Sequence, residues 1–296
     1  MPENFREKFF QLDDAPHLVA TLATPLESAS GGLGVLLFNS GVIHRIGPHR
    51  INVRLSRELA QRGMPALRLD LSGLGDSRRA GGTAPMLEQV CADLKAAIDT
   101  LVQRTGVERV VIIGICSGAE YGYQYAVNDP RVTGLVMVDG YSFANRRTRF
   151  LRYALRLRTL TWPVLRNAIR NRLARRHQDK EAEVEATRDY GLPDLTAREF
   201  GRGIADRLRR GVRILMIFTG SVLQRYNHSS QFRDVMAETD LPPEDRAMLT
   251  SAAVRCDYMP EIDHTLSTRD GQQRFIRTLL HWLQPLAAET RGYHQR

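Results

Sequence analysis

Six short apolar runs limit what this chain can fold into more than any other feature. They are Gly34–Asn39, Ala66–Leu71, Arg109–Ile115, Val132–Val138, Arg213–Phe218 and Ala253–Tyr258. Each is too short for a buried helix and nearly continuous in its apolar character, which predicts strands covered on both faces. Helical stretches alternate with them. One opens at Pro48 and stops before Gly63, another covers about 85–104, a third ends near Val127, and the last runs from about Asp270 to Leu283, where Pro285 is expected to end it. Strands alternating with helices predict an α/β fold with a mostly parallel, doubly wound sheet and right-handed crossovers. Two alternating runs precede the series, Glu7–Leu12 and His17–Leu22, and read as an antiparallel pair at one edge.

A chain of 296 residues can hold two domains, but an α/β fold of this size often forms one domain with an insertion. The insertion is visible in the charge. The net charge is +9, yet residues 141–180 alone carry eleven Arg and Lys180 against the single acid Asp179. That segment holds +11, and the remainder of the chain is slightly acidic. The expected division is a core of 1–140 and 211–296 with a basic helical insertion at 141–210.

Several classes are set aside on the same grounds. No apolar run is long enough to span a bilayer, and the charged amino terminus lacks the apolar stretch of a signal peptide. A soluble cytoplasmic protein is therefore expected. Cys91, Cys116 and Cys256 lie far apart, so neither a disulfide framework nor a zinc cluster is indicated, and no metal or cofactor is expected.

The chemistry is expected where the most apolar strand ends. Gly114-Ile115-Cys116-Ser117-Gly118 has the form glycine, any residue, nucleophile, any residue, glycine, and a helix follows. The two glycines put Cys116 in the nucleophile position. Ser117 fails the same frame, which would need glycine at Ile115 and Ala119. A helix amino terminus favours an anion, the setting that makes a thiol reactive. The alternative is a buried structural cysteine. His264, in a loop after the last strand, is the expected base for a cysteine–histidine pair; the alternative is an ordinary loop residue.

Taken together, the strand order, the segment DLSGLGDS after the fourth strand, GICSGA at the turn and IDHT near the end resemble the α/β-hydrolase fold over nearly the whole chain. Most members carry serine at this turn; the cysteine form is similar to the dienelactone-hydrolase type and some acyl-transferring relatives. The resemblance implies a third catalytic residue, usually a carboxylate just after the strand ending near Phe218. The residues there offer only the amides Gln224 and Asn227. Asp139, at the end of the preceding strand, is the alternative position some members use, and Asn227 is another orienting group; a carboxylate that merely caps a turn is the competing reading of Asp139. The resemblance also implies an oxyanion hole from the Ser117 N–H and a second N–H at Gly41 or Val42. His44 and Arg45, further along that loop, either bind an anionic part of the substrate or pair with Asp70 or Asp76.

In the family an insertion like 141–210 is a lid over the active site. Its basic helices suit a solvated lid, an acidic partner such as an acyl carrier protein or coenzyme A, or contact with an anionic membrane surface. Nucleic acid is disfavoured, because no recognised motif accompanies the charge. The expected activity is that of an acyl hydrolase on esters or thioesters through an S-acyl enzyme at Cys116 and His264. Two alternatives stay open: an acyltransferase with a non-water acceptor, and a catalytically silent hydrolase-like protein that binds an acidic partner.

Overall fold

The computed structural model describes residues 4–26, 32–148, 150, 191–220, 226 and 228–293, and no side chains beyond 289. Eight strands form one sheet: β1 (Phe5–Gln11), β2 (Val19–Pro25), β3 (Leu33–Leu37), β4 (Ala66–Asp70), β5 (Arg109–Ile115), β6 (Val132–Val138), β7 (Arg213–Thr219) and β8 (Val254–Met259). Their spatial order is β1-β2-β4-β3-β5-β6-β7-β8. β1 and β2 pair antiparallel, as do β2 and β4, and every later pairing is parallel. The mostly parallel α/β sheet expected from the apolar runs is present.

Seven helices are described with it: α1 (Ile51–Gln61), α2 (Met86–Thr105), α3 (Ser117–Tyr125), α4 (Ala197–Arg209), α5 (Gln231–Glu238), α6 (Pro243–Leu249) and α7 (Arg269–Tyr293). Because side chains alternate along a strand, each central strand feeds two separate cores. Val110, Ile112, Leu135 and Ile214 pack with Leu94 and Ile98 of α2, Ala119 of α3 and Phe200 of α4. On the other face Val111, Ile113, Val136 and Leu215 pack with Leu55 of α1 and Leu279 of α7.

Three expectations need correction. The edge strands are offset from the predicted runs, because β1 (FREKFFQ) alternates only loosely and its pairing reaches Phe5↔Pro25. Pro285 does not end the last helix, which continues to Tyr293. The hydrogen bond that proline removes is offset by what holds the turn: Leu283 and Leu286 are buried, and the Leu286 carbonyl accepts from Arg109 Nη2 at 2.7 Å. The third correction concerns the insertion. Residues 197–209, counted in it from sequence, form a core crossover helix between β6 and β7. Thr196 and Glu199 close a capping box at its start, Phe200 and Ile204 are fully buried, and Arg207 Nε donates to the Tyr123 carbonyl at 2.9 Å. Most of the basic segment, 151–190, lies outside the described residues.

Candidate active site

The turn after β5 is shaped by close approach. A Cβ on Gly114 would stand 2.2 Å from the Gly118 carbonyl oxygen, and one on Gly118 would stand 2.7 Å from that of Asn39. Only glycine lets β5, α3 and the loop after β3 pack this tightly. Between the two, Cys116 holds φ 56°, ψ −126°, a conformation that non-glycine residues rarely adopt. It is kept there by its N–H, bonded to the Val138 carbonyl at 2.8 Å, and by its own carbonyl, which accepts from Ala119 N at 2.9 Å. The thiol, half-buried, sits at the amino terminus of α3.

Asp139 leaves β6 in much the same way as Cys116 leaves β5. Its φ is 52°, and its N–H bonds the Ile217 carbonyl at 2.9 Å. The carboxylate is buried. Oδ1 accepts from Thr219 N at 2.7 Å, and Oδ2 accepts from Thr219 Oγ1 at 2.6 Å and lies 2.7 Å from His264 Nδ1. The same imidazole hydrogen-bonds Cys116. Structure therefore joins Cys116, His264 and Asp139 in one chain of contacts. At the end of β7, where the sequence offered no carboxylate, stands Thr219. It holds the carboxylate of the neighbouring strand instead of supplying one.

His264 is fixed by its loop. Gly220 N donates to the Ile262 carbonyl at 2.8 Å, tying the loop to the end of β7. Asp263 gathers Thr265 and Ser267, whose N–H and hydroxyl groups hold its carboxyl well below the usual range. Gln272 Nε2 of α7 donates to the Leu266 carbonyl at 2.7 Å.

The hydrogen bonds to Asp139 and to Cys116 push the His264 imidazole up to about 10. The ring is thus protonated in the folded protein over a range where an unfolded chain's imidazole, near 6.5, is neutral. Its ion pair stabilises the fold fully below about 6.5, and the contribution fades as the pH rises through about 10. Asp139→Asn should therefore lower Tm most at about pH 6, and the gap to the parent should narrow toward about pH 10 in a thermal-melt series. A gap independent of pH would mean that Asp139 does not hold the charged ring.

The loop Asn39–Arg45 completes the site. Its centre is the fully buried Asp70 at the end of β4. Asp70 Oδ1 accepts from Asn39 Nδ2 at 2.8 Å and from Arg45 N at 2.7 Å, while Oδ2 accepts from Asp76 N at 3.0 Å and pairs with the Arg45 guanidinium. Asn39 Oδ1 returns a bond from Leu71 N at 2.6 Å. Arg45 is buried between Asp70 and Asp76, and His44 Nε2 lies 3.2 Å from Asp76 Oδ2. Of the two readings of these residues, the structure shows the pairing with Asp70 and Asp76. Arg45 is committed to two carboxylates, and its guanidinium already sits against the one group of potential cation ligands found among the described residues, His44, Asp70 and Asp76. Asn227, the third expected binding residue, lies outside the described residues.

Of the two expected oxyanion donors on this loop, Gly41 directs its N–H to Ser117 Oγ at 2.9 Å. Val42 N–H and Ser117 N–H have no protein acceptor among the described residues. Thr219 and Asn39 were missed from sequence, while Asp70 was named there only as a candidate partner of His44 and Arg45.

No helix among the described residues is long and apolar enough to cross a membrane. Solved structures share this fold. An esterase of Pyrococcus furiosus superposes with TM-score 0.55 at 11% identity, covering 96% of this chain and 91% of its own. A dienelactone hydrolase of Anabaena variabilis gives 0.53 at 14%, covering 95% and 98%. An α/β serine hydrolase without lid from Xanthomonas campestris gives 0.52 at 10%, covering 97% of each. At such identities the likeness speaks for the fold alone. No curated protein matches the chain by sequence. Residues 36–207, more than half of the chain, match the family described as serine aminopeptidase, S33, and with this sheet and turn the chain belongs to that family of α/β-fold hydrolases.

Proposed function

We propose that this protein is an acyl hydrolase that acts on esters or thioesters through a cysteine nucleophile. The observation that carries the reading is the contact chain Cys116–His264–Asp139, mounted on three strand ends of a hydrolase fold. The family's description names serine, and this chain has Cys116 in the serine's frame. A histidine raised to about 10 suits a thiol partner, because it favours a thiolate–imidazolium pair at neutral pH.

The thiolate attacks the acyl carbonyl carbon, and the carbonyl π electrons move to oxygen. The N–H groups of Ser117 and Val42 hold that oxyanion. The tetrahedral intermediate collapses, the bond to the leaving alkoxide or thiolate breaks, and the His264 imidazolium protonates it. His264, now neutral, takes a proton from water as the water oxygen attacks the S-acyl carbon. The second intermediate expels the Cys116 thiolate, the acid is released, and His264 again carries the proton. Asp139 orients the ring throughout, and Thr219 orients Asp139. A thioester substrate would make the first exchange nearly even in energy, and the basic segment 141–180 would attract an acidic carrier such as coenzyme A.

The test is intact-mass analysis with peptide mapping after brief exposure to acyl-nitrophenyl esters and acyl-coenzyme A. An acyl adduct on Cys116 that decays to free acid is the expected result. Decay only when a second nucleophile is added would favour the acyltransferase alternative. Neither adduct nor product with any donor would refute the reading.

A further inference from the structure

A cavity of about 510 Å³ opens beside the oxyanion loop. Its walls are Gly41 and Val42, the segment after β4, the first turns of α2, and Tyr121 of α3. Gly41 is bonded to Ser117, the neighbour of Cys116. A carbonyl placed over Cys116 with its oxygen toward Val42 N–H would therefore lead its acyl substituent past Val42 into this space.

Most of the lining is apolar, including Leu74, Val90 and Tyr121, as a pocket for a hydrocarbon chain requires. One wall is polar and built from inside the protein. Asp93, 1% exposed, accepts from Ser72 N at 2.7 Å, Ser72 Oγ at 2.8 Å and Gln89 Nε2 at 2.8 Å. Its contact with Gln89 is to the NH₂ end, which fixes the orientation of that amide. The amide oxygen is left as an acceptor, with no partner among the described residues. The complement is a donor. Arg79 and Asp93 line the same cavity with opposite charges, and Asp93 already accepts from three donors, so the donor that adds no unpaired charge there is a neutral hydroxyl.

We propose that this cavity is the acyl pocket and that it selects a medium-length apolar acyl group bearing a hydroxyl, which donates to Gln89. The inference rests on the hydrolase reading for its chemistry, though not for its geometry. It identifies Gln89 as a specificity residue and Asp93 as the residue that positions it.

The test compares nitrophenyl esters of acetate, octanoate and ω-hydroxyoctanoate on the parent protein, Ala84→Trp and Gln89→Leu. Ala84 is an exposed lining residue, so tryptophan there narrows the cavity without entering the core. The octanoyl-to-acetyl ratio of kcat/KM should fall about tenfold or more in Ala84→Trp. The preference for ω-hydroxyoctanoyl over octanoyl should fall about tenfold in Gln89→Leu, since leucine offers the hydroxyl no acceptor. Ratios unchanged in either variant, with esters still turned over, would overturn the pocket and leave the hydrolase reading standing. Calorimetry of free ω-hydroxyoctanoate with Cys116→Ala protein separates the opposite case. Binding that Ala84→Trp weakens, in a protein whose parent turns over no ester, would keep the pocket and remove the hydrolysis. Neither binding nor turnover would overturn both.

Discussion

Cys116→Ala loses ester turnover by about four orders of magnitude or more in kcat, the scale seen when a nucleophile that acts as one unit with its base is removed. The fold should survive, because the half-buried thiol adds little to the packing and alanine is accepted by the α3 start. Circular dichroism and the cleavage of a nitrophenyl ester, measured side by side, separate the two effects. Cys116→Ser is informative in a different way. Serine stays un-ionised at neutral pH and depends on His264 to take its proton as it attacks. The serine variant should therefore keep some activity, below that of the parent. Full activity in the alanine variant would eliminate the thiol as nucleophile.

The largest expected loss of stability lies at Asp70. Its carboxylate is fully buried, takes two backbone N–H groups and the Asn39 amide, and neutralises a buried guanidinium. Asp70→Ala leaves Arg45 with the half-exposed Asp76 as its one remaining carboxylate, and it removes an acceptor from the Asn39 amide and from the Arg45 and Asp76 N–H groups. Breaking a buried pair from one side costs about 3–5 kcal/mol. Urea denaturation should register a loss of that order, and activity should fall with it, because the loop that carries Gly41 and Val42 is tied to the same carboxylate. Asp70→Asn keeps the shape and part of the hydrogen bonding, and should fall between. A loss below about 1 kcal/mol in the alanine variant would mean that Arg45 and the loop find other partners.

The sheet was legible in sequence because its central strands are buried on both faces, and such runs stand out whatever their neighbours. β1 and β2 lie at one edge, where exposed Phe9 breaks the alternation, so their ends were displaced. Pro285 misled for a local reason: its expected effect is real, but burial of Leu286 and the tie to Arg109 outweigh it. The place of Cys116 in the turn was readable because Gly114 and Gly118 are a steric requirement of the turn and leave one frame. Asp139 was left as one of several options, since a strand-end carboxylate that caps a turn has the same sequence as one that orients a histidine. What decides between them is His264, 125 residues along the chain, whose Nδ1 stands 2.7 Å from the carboxylate. Asp70 and Arg45 show the converse. A basic loop looks like a site for anions until the buried carboxylate that fills it is found.

The two left-handed residues that end β5 and β6 have a consequence for how such a protein can change. Cys116 N–H reaches back to Val138 and Asp139 N–H to Ile217, each to the next strand in the sheet. These two contacts form a staircase cut into the sheet edge, with Thr219 as its next step. The Cys116 thiol and the Asp139 carboxylate inherit their spacing from strand stagger, a property that connecting segments cannot easily disturb. Lineages could therefore exchange the segment between β6 and α4 while the spacing at these strand ends passes on intact.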